Sequence, residues 1–189
     1  MDTKTFTVRV AKPQDAPLIA QIVAMAIGDE LSLKNYCGEH YLKVLEEIAQ
    51  NEKTQYSFKN TLIAEIGDTP IGAVIGYDGA KLFELRTETF AIIKKHIGST
   101  PDIEPETEVG EFYLDSIAVL PEFRGHGVAK NLILTLCNKA FSEGHENVGL
   151  LVDVENTNAE KLYHSLGFIR VNQKSFLGHK MWHLQKKLK

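Results

Sequence analysis

The sequence has few cysteines, no excess of basic residues and no long apolar run, and each of these absences excludes a class of protein. The 189 residues include two cysteines, Cys37 and Cys137, which are too few for a disulfide framework and lack the spacing of a metal site. A formal net charge of −4 argues against a nucleic-acid-binding protein, because such proteins normally carry a basic face. No stretch approaches the ~20 apolar residues that span a bilayer, and the N-terminal segment has no signal-peptide core. We therefore expect a reduced, cytoplasmic protein with neither a nucleic acid nor a membrane as partner.

What the chain does contain is the composition of an ordinary globular domain. Apolar residues make up 43% of it and charged residues 24%, which is usual for a globular protein. The length suits one domain and falls short of two domains with separate cores. We expect residues 1–189 to form a single domain.

The spacing of apolar residues predicts both strands and helices. Alternating or continuously apolar segments predict strands at residues 6–10, 61–66, 71–77, 112–120, 148–154, 168–173 and 180–188. Apolar residues at helical spacing predict helices at residues 15–27, with Asp15 as N-cap, and at 36–51, 81–97, 127–142 and 157–166. Residues 28–35 break the helical pattern, and the acidic, proline-bearing residues 98–110 are expected to form a loop. The order favours a mixed α/β fold, with an insert at about residues 78–110.

The most informative motif is VLPEFRGHGVA at residues 119–129. A buried strand runs into a glycine-bearing turn, and the turn opens directly into an amphipathic helix. The first turn of a helix leaves its N–H groups without partners and carries positive potential. Glycines let this backbone approach an anion, so a phosphate is the expected ligand, with Arg124 adding positive charge. A strand–helix connection that uses glycine for geometry alone remains an alternative.

Two common phosphate motifs do not fit this turn. A dinucleotide fingerprint would need a third glycine where Lys130 stands. A P-loop would need a Lys-Ser or Lys-Thr pair after the glycines, and none follows.

The turn instead resembles a motif of the GNAT superfamily of N-acetyltransferases. Residues 124–129, RGHGVA, match that family's Gln/Arg-x-x-Gly-x-Gly/Ala element. Residues 156–168, NTNAEKLYHSLGF, match its Asn-x-x-Ala-x-x-Leu-Tyr-x-x-x-Gly-Phe segment in every fixed position. The resemblance covers the C-terminal half of the chain firmly and the N-terminal half loosely. It does not cover the insert.

The resemblance implies a fold and a coenzyme. The fold is a mixed sheet of six or seven strands, splayed at the central strands, with about four helices on its faces. The coenzyme is acetyl-CoA, used as a co-substrate, and no metal is implied. The pyrophosphate would be held by backbone amides of the turn, while the strand that precedes the turn would bind the pantetheine arm and supply hydrogen bonds to the thioester oxygen. The implied coenzyme-binding residues are Ile117, Ala118, Val119, Arg124, Gly125, His126, Gly127, Val128, Ala129, Asn156 and Asn158.

Three residues are candidates for acid–base chemistry. Tyr163 stands where the family places the proton donor for the departing sulfur, although it could equally belong to the core. Asp115 interrupts an apolar central strand, and because a buried carboxylate is costly it should be paired or lie on a cleft. Glu111 stands four residues earlier, either as a second candidate base or as a strand-end residue in water. Cys37 is not predicted to be a nucleophile, since no histidine is placed to activate it.

These features predict an enzyme that transfers an acyl group, most simply acetyl, from coenzyme A to a primary amine of a small molecule or peptide. The amine would attack the thioester directly. Four acidic residues of the insert favour a cationic acceptor, unless they are simply a solvated loop: Asp102, Glu104, Glu106 and Glu108. Two other classes stay open, a catalytically silent acyl-CoA sensor and a plain nucleotide-binding or scaffold domain. A monomer and a homodimer also remain open.

Overall fold

A mixed sheet of seven strands organises the chain. The protein is described by a computed structural model over residues 5–189. Within that range the strands are β1 Thr7–Val10, β2 Thr61–Ile66, β3 Thr69–Asp78, β4 Phe112–Val119, β5 Asn147–Asp153, β6 Ile169–Phe176 and β7 His179–Lys187. The helices in the same range are α1 Ala16–Ile27, α2 Glu30–Cys37, α3 Tyr41–Gln50, α4 Leu82–Ile97, α5 Val128–Ser142 and α6 Thr157–Ser165.

The sheet is splayed at its centre. Its strand order is β1-β2-β3-β4-β5-β7-β6, and β4 and β5 form its parallel pair. That pair joins only Phe112 to Val148 and Tyr113 to Gly149, although β4 continues to Val119 and β5 to Asp153. The two strands therefore diverge after one short contact and leave a cleft between their C-terminal halves. The expected splayed, mixed sheet of six or seven strands is confirmed.

Alternate residues of the strands supply two cores, as the period of a strand requires. Leu62, Ala64 and Val74 face α5 and α6 in one buried cluster. Ile63 and Ala73 face α1 and α3 in the other. Both strands that bound the cleft contribute to the first cluster, β4 through Leu114 and β5 through Leu150, so the diverging strands are held by one shared core.

The prediction for residues 28–35 is wrong, because these residues contain α2. The carboxylate of Asp29 accepts a hydrogen bond of 2.8 Å from the Ser32 N–H and caps this helix. Gly38, with φ of +83°, then ends α2, and a Cβ at this position would lie 2.6 Å from Cγ2 of Ile97. The predicted helix at 36–51 is therefore two helices with a glycine between them. Residues 5–189 hold six helices in place of the expected four or so.

The insert forms α4 and a loop that folds back onto it. The Arg86 guanidinium of α4 donates to the carbonyl oxygens of Ile103 at 3.0 Å and of Glu104 at 2.8 Å. The Thr107 hydroxyl donates to the carbonyl of Gly79 at 2.8 Å. These bonds hold the acidic loop at residues 98–110 against α4 and against the turn that follows β3.

Within residues 5–189 no single helix is long and apolar enough to cross a bilayer. Residues 13–27 and α2 meet that criterion only when taken together, and they are bent by 119° at their junction.

Candidate active site

A cavity of about 660 Å³ lies where β4 and β5 diverge. We call the two parts of its wall the turn side and the carboxylate side. The turn side is lined by Ile117, Ala118, Val119, Arg124, Ala129, Asn156, Asn158 and Tyr163. The carboxylate side is lined by Tyr36, Gln55, Tyr56, Arg86, Ile103, Glu106 and Asp115. The last residues of α1, Met25 to Ile27, also face this cavity.

The turn that connects β4 to α5 adjoins the turn side through Arg124 and Ala129, and its backbone N–H groups are unpartnered. Gly125 and Gly127 both have φ of +79°, a left-handed conformation that favours glycine. The first hydrogen bond of α5 runs from the Asn131 N–H to the Gly127 oxygen at 3.0 Å. Within the described residues, the N–H groups of residues 125–130 donate no hydrogen bond to another residue. Six consecutive free amides at a helix N-terminus fit an anion such as a pyrophosphate.

Arg124 joins the turn to the end of β4. Its Nε donates to the carbonyl oxygen of Val119 at 3.0 Å, and the side chain lines the cavity. His126 is exposed, and its Nδ1 lies 2.8 Å from the Arg124 carbonyl oxygen. Arg124 therefore places a positive charge beside the free amides, while His126 points away from the cavity wall.

The strand edge along the turn side is open. Pairing of β4 with β5 stops at Tyr113, so Ile117, Ala118 and Val119 meet β3 on one side and the cavity on the other. Backbone groups on an open strand edge can pair with an extended ligand. The geometry suits an extended arm such as pantetheine.

Asp115 lies at a bulge in β4. Ile75 pairs with Ser116 and the next residue, Gly76, pairs with Leu114, so Asp115 has no residue opposite it. Its Oδ2 accepts a hydrogen bond of 2.8 Å from the Tyr77 hydroxyl and its Oδ1 one of 2.8 Å from the Ser116 hydroxyl. Burial raises the pKa of Asp115, although both hydroxyls and the Arg86 charge act in the opposite direction. The structure thus places this carboxylate in the cavity wall, with neutral partners.

Glu106 shares the carboxylate side with Asp115. It is 3% exposed and forms an ion pair with Arg86. Its Oε1 accepts hydrogen bonds from Gln55 Nε2 at 3.1 Å and from the Tyr77 hydroxyl at 3.4 Å. Burial and the charge of Asp115 raise the pKa of Glu106 to about 7, against the lowering effect of Arg86. Its interpretation as part of a solvated loop is wrong.

A signal for Glu106 is present in the sequence of α4. Arg86 lies on the buried stripe of this helix, with Leu82, Leu85, Thr89 and Ile93. A guanidinium at a buried position needs a carboxylate. Glu84 and Glu88 of the same helix are exposed, and the acidic loop that follows α4 supplies the buried partner. The loop sequence taken without the helix does not indicate this pair.

Glu111 is held away from the cavity. It is 1% exposed, so its interpretation as a strand-end residue in water is wrong. Its Oε2 accepts hydrogen bonds from His183 Nε2 at 2.9 Å and Gln185 Nε2 at 2.7 Å. Its Oε1 accepts one from the Glu108 N–H at 2.8 Å. The carboxylate is surrounded by three donors that join β4, β7 and the insert, and it does not line the cavity described above.

Tyr163 belongs both to the core and to the cavity wall. Its ring packs edge-on against Phe168 with centroids 5.8 Å apart, and the residue is 7% exposed. Burial raises the pKa of its hydroxyl to about 12. Among the described residues no hydrogen bond contributes to this shift, and the residue lines the turn side. A protonated hydroxyl is therefore available at the cavity.

Two further predicted positions have simple roles in the structure. Asn156 accepts a hydrogen bond of 3.1 Å from the Ala159 N–H and caps α6, which presents Asn158 and Tyr163 to the cavity. Cys37 is fully buried, and burial raises the pKa of its thiol to about 12. Such a thiol is a poor nucleophile at neutral pH.

Comparison with known proteins places the fold and the turn in one family. The family model described as the acetyltransferase (GNAT) family matches residues 29–168. Among solved structures, an N-acetyltransferase of Staphylococcus aureus Mu50 has a TM-score of 0.81 at 26% identity, covering 95% of this chain and 99% of that one. A second structure, described as an acetyltransferase, has a TM-score of 0.82 at 29% identity, covering 97% of this chain and 100% of that one.

Curated relatives match shorter parts. The chain is 35% identical over 101 residues to the ribosomal protein bS18-alanine N-acetyltransferase of Haemophilus ducreyi, which covers 53% of this chain and 65% of that protein. It is 38% identical over 61 residues to N-alpha-acetyltransferase 30 of Saccharomyces cerevisiae, and this match covers 32% of this chain and 35% of that protein. The chain thus spans between 35% and 65% of the length of these relatives. Because the family model matches most of the chain, from residue 29 to residue 168, the chain belongs to the GNAT family of acetyltransferases.

Proposed function

We propose that the protein transfers an acetyl group from acetyl-CoA to a primary amine that arrives as an ammonium ion. The observation that carries this proposal is the cavity itself. A row of free amides suited to a pyrophosphate adjoins one part of its wall, and another part presents an ionisable carboxylate that no cation within hydrogen-bonding distance neutralises.

The turn side would hold the coenzyme. The amides of residues 125–130 and the Arg124 charge suit the pyrophosphate, and the open edge of β4 at Ile117 to Val119 suits the pantetheine arm. Acetyl-CoA supplies an activated carbonyl. Backbone N–H groups at that edge would stabilise the negative charge that develops on its oxygen.

The carboxylate side would receive the amine. Arg86 and Glu106 form an ion pair, which leaves the Asp115 carboxylate as the surplus negative charge. The C-terminal end of α1 also faces the cavity, and helix C-termini carry negative potential. Both features favour a cation, and a lysine-like ammonium with a pKa near ~10.4 is mostly protonated at neutral pH.

Proton transfers must balance on both sides of the reaction. Asp115 would take one proton from the ammonium, which frees the lone pair for attack on the thioester carbon. The adduct then carries a second surplus proton on nitrogen. Tyr163 would give its proton to the departing sulfur and regain one from that nitrogen, directly or through water. The products are the amide, the free thiol and one proton held by the carboxylate side.

The acceptor is proposed to be a small molecule or a peptide, and the names of two relatives support a peptide. One of the two curated relatives described above is named as an N-acetyltransferase of an alanine of ribosomal protein bS18, and the other as an N-alpha-acetyltransferase. A peptide α-amine is less basic than a lysine side chain, so it would place a smaller demand on the base.

The test is a free-thiol release assay with acetyl-CoA. Acceptors should include peptides with free N-termini, the same peptides with blocked N-termini, polyamines and aminoglycosides, and mass spectrometry should locate the acetyl group. We expect thiol release and an acetylated amine for at least one class. Tight coenzyme A binding with no release for any acceptor would favour a silent acyl-CoA sensor. Equal thermal stabilisation by ATP and coenzyme A would favour a plain nucleotide-binding domain.

A further inference from the structure

A tyrosine hydroxyl bridges the two carboxylates of the carboxylate side. The Tyr77 hydroxyl lies 2.8 Å from Asp115 Oδ2 and 3.4 Å from Glu106 Oε1. It carries a single proton, so at any moment it donates to one of the two carboxylates. The bridge therefore joins two carboxylates of the same cavity wall, Asp115 and the more deeply buried Glu106.

Gln55 orients this bridge. Its Nε2 donates to the Tyr77 oxygen at 3.1 Å and to Glu106 Oε1 at 3.1 Å. With the Gln55 amide donating, the Tyr77 proton is directed towards a carboxylate. The Gln55 Oε1 is buried without a partner, so the amide is held by its donor contacts with Tyr77 and Glu106.

Resting on the proposed function, we propose that Glu106 is a second proton-holding residue: through the Tyr77 hydroxyl it receives the proton that Asp115 takes from the acceptor ammonium. In this step an N–H bond of the ammonium breaks and an O–H bond forms on Asp115. Asp115 then passes a proton to the Tyr77 oxygen while Tyr77 passes its own to Glu106 Oε1. The amine is neutral, Asp115 is again a carboxylate, and Glu106 is a carboxylic acid.

The surroundings of Glu106 suit this role. Arg86 of α4 stabilises its ionised form before transfer, and burial together with the Asp115 charge makes it ready to accept a proton, with a pKa of about 7. The other titratable groups that face the two carboxylates are Tyr36, Tyr56, Tyr77 and Tyr113, and burial raises the pKa of each tyrosine. All four tyrosines are therefore neutral at pH values near 7. The Lys174 ammonium hydrogen-bonds to the backbone oxygen of Glu106, at 3.4 Å, and its ion pair is with Glu108.

Storage of the proton on Glu106 has a functional consequence. Asp115 alone would have to release each proton into the cavity that the acceptor occupies. With Glu106 as receiver, Asp115 returns to its charged form while the acceptor is still bound. Tyr77 and Gln55 are positioning residues in this scheme, since they act on Asp115 and Glu106.

The direct test is the pH profile of turnover in Glu106→Gln. In the wild type, kcat should fall as the pH drops below about 7, because Glu106 becomes protonated and can no longer receive. In Glu106→Gln we expect this fall of kcat at low pH, the acid limb of the profile, to move to the pKa of Asp115. At neutral pH kcat should fall about tenfold, which is less than the roughly 10²–10⁴-fold rate gain that a general base contributes. Tyr77→Phe keeps both carboxylates and removes the bridge, and should produce the same change. Glu88→Gln, an exposed position on α4, is the control and should retain the wild-type profile.

Glu106→Gln leaves Arg86 buried without its partner and could fail to fold for that reason alone. The double variant Arg86→Gln/Glu106→Gln removes both charges of the pair and keeps the test possible. We expect it to fold and still to lack the acid limb near pH 7. A folded double variant or Tyr77→Phe variant with the wild-type limb would overturn the proposal and leave Glu106 a structural partner of Arg86.

A second readout separates this proposal from the proposed function. Infrared difference spectra of the carboxyl stretch report protonation without any acceptor. We expect a buried carboxylic acid band that titrates near pH 7 in the wild type, disappears in Glu106→Gln and shifts in Tyr77→Phe. If no acceptor is ever acetylated, the proposed function fails. This band still shows whether Glu106 holds a proton that it exchanges with Asp115 through Tyr77. Absence of the band from the wild type would overturn the role of Glu106 even in an active enzyme.

Discussion

The two sides of the cavity are built in different ways. At the turn side, the groups suited to the coenzyme pyrophosphate are backbone N–H groups of consecutive residues, 125–130, so one short segment supplies them. The carboxylate side uses side chains that are far apart in sequence: Gln55 meets Tyr77 and Glu106 at separations of 22 and 51 residues, and Tyr77 meets Asp115 at 38. A backbone site changes little when side chains change, whereas a side-chain site can be altered one residue at a time. The first arrangement suits a constant coenzyme and the second a particular acceptor.

This contrast makes a general prediction about variants. Changes in the glycine turn at residues 124–130 should alter coenzyme affinity and leave the pH dependence of turnover intact. Changes on the carboxylate side should alter turnover and its pH dependence, with coenzyme affinity intact. A variant that crosses between these two patterns would show that the two sides are not independent.

The largest effect is expected for Asp115→Asn. The substitution keeps the size of the side chain and removes the base, so kcat at neutral pH should fall by about 10²–10⁴-fold. The loss should diminish at high pH, where more of the amine is already deprotonated. Stopped assays across pH, with the coenzyme at saturation, measure both effects.

The stability of Asp115→Asn provides its control. The pKa of Asp115 is raised in the folded state, so its ionised form costs folding free energy above the pKa of the unfolded chain. Removal of that charge should leave the melting temperature at neutral pH equal or higher, since the Tyr77 and Ser116 hydroxyls can rotate to suit an amide. A lower melting temperature with an unchanged pH profile would instead make Asp115 a structural residue.

The same contrast explains what the sequence alone could predict. The turn, α5 and the α6 segment are local patterns, and the splayed sheet follows from the family that they indicate. Glu106 is different, because a loop carboxylate becomes buried only through Arg86, 20 positions earlier, and Tyr77, 29 positions earlier. The environment of Glu111 also depends on β7, through His183 and Gln185, 72 and 74 positions later. Short-range patterns carry no information about such contacts. For α2, by contrast, the local signal of Asp29 as N-cap was present and was overlooked.

The next effect is expected for Tyr163→Phe. The ring can keep its packing on Phe168, and among the described residues burial alone, with no hydrogen bond, sets the environment of the hydroxyl. Stability should therefore change little, while kcat falls about hundredfold, the lower end of the range for general acid catalysis. Because the hydroxyl pKa is about 12, the tyrosine stays protonated at neutral pH and the acid limb of the profile should not move. Normal turnover in a variant that melts lower would identify Tyr163 as a core residue only.

A smaller effect, confined to the turn side, is expected for Gly127→Val. At φ of +79° a β-branched residue is strained, and its side chain would crowd the free amides. Loss of one charge-assisted hydrogen bond costs about 1.5–3 kcal/mol, so coenzyme A should bind roughly ten- to hundredfold more weakly. Isothermal titration with coenzyme A measures this directly.

Gly144 offers a matched control for Gly127. It has φ of +89°, lies just beyond the C-terminal end of α5, and a Cβ there would also meet no atom within 4 Å. Gly144→Val should cause a similar loss of stability and leave coenzyme affinity unchanged. Equal affinities in the two valine variants would mean that the turn does not hold the pyrophosphate.

The smallest effect on turnover is expected for Glu111→Gln, because the carboxylate lies outside the cavity. Its oxygens accept three hydrogen bonds, from His183, Gln185 and the Glu108 N–H. A glutamine has one side-chain oxygen, so it can replace only one of the two carboxylate oxygens as an acceptor. Its NH₂ group would then face a hydrogen-bond donor at the position of the other oxygen. An unsatisfied buried group costs about 1–3 kcal/mol, and for a chain of this length each kcal/mol lowers the melting temperature by roughly 2–4 °C. We therefore expect a lower melting temperature, with kcat per folded molecule and the pH profile both unchanged. A stable Glu111→Gln variant with a large loss of kcat would reverse this assignment, since it would identify Glu111 as the base in place of Asp115.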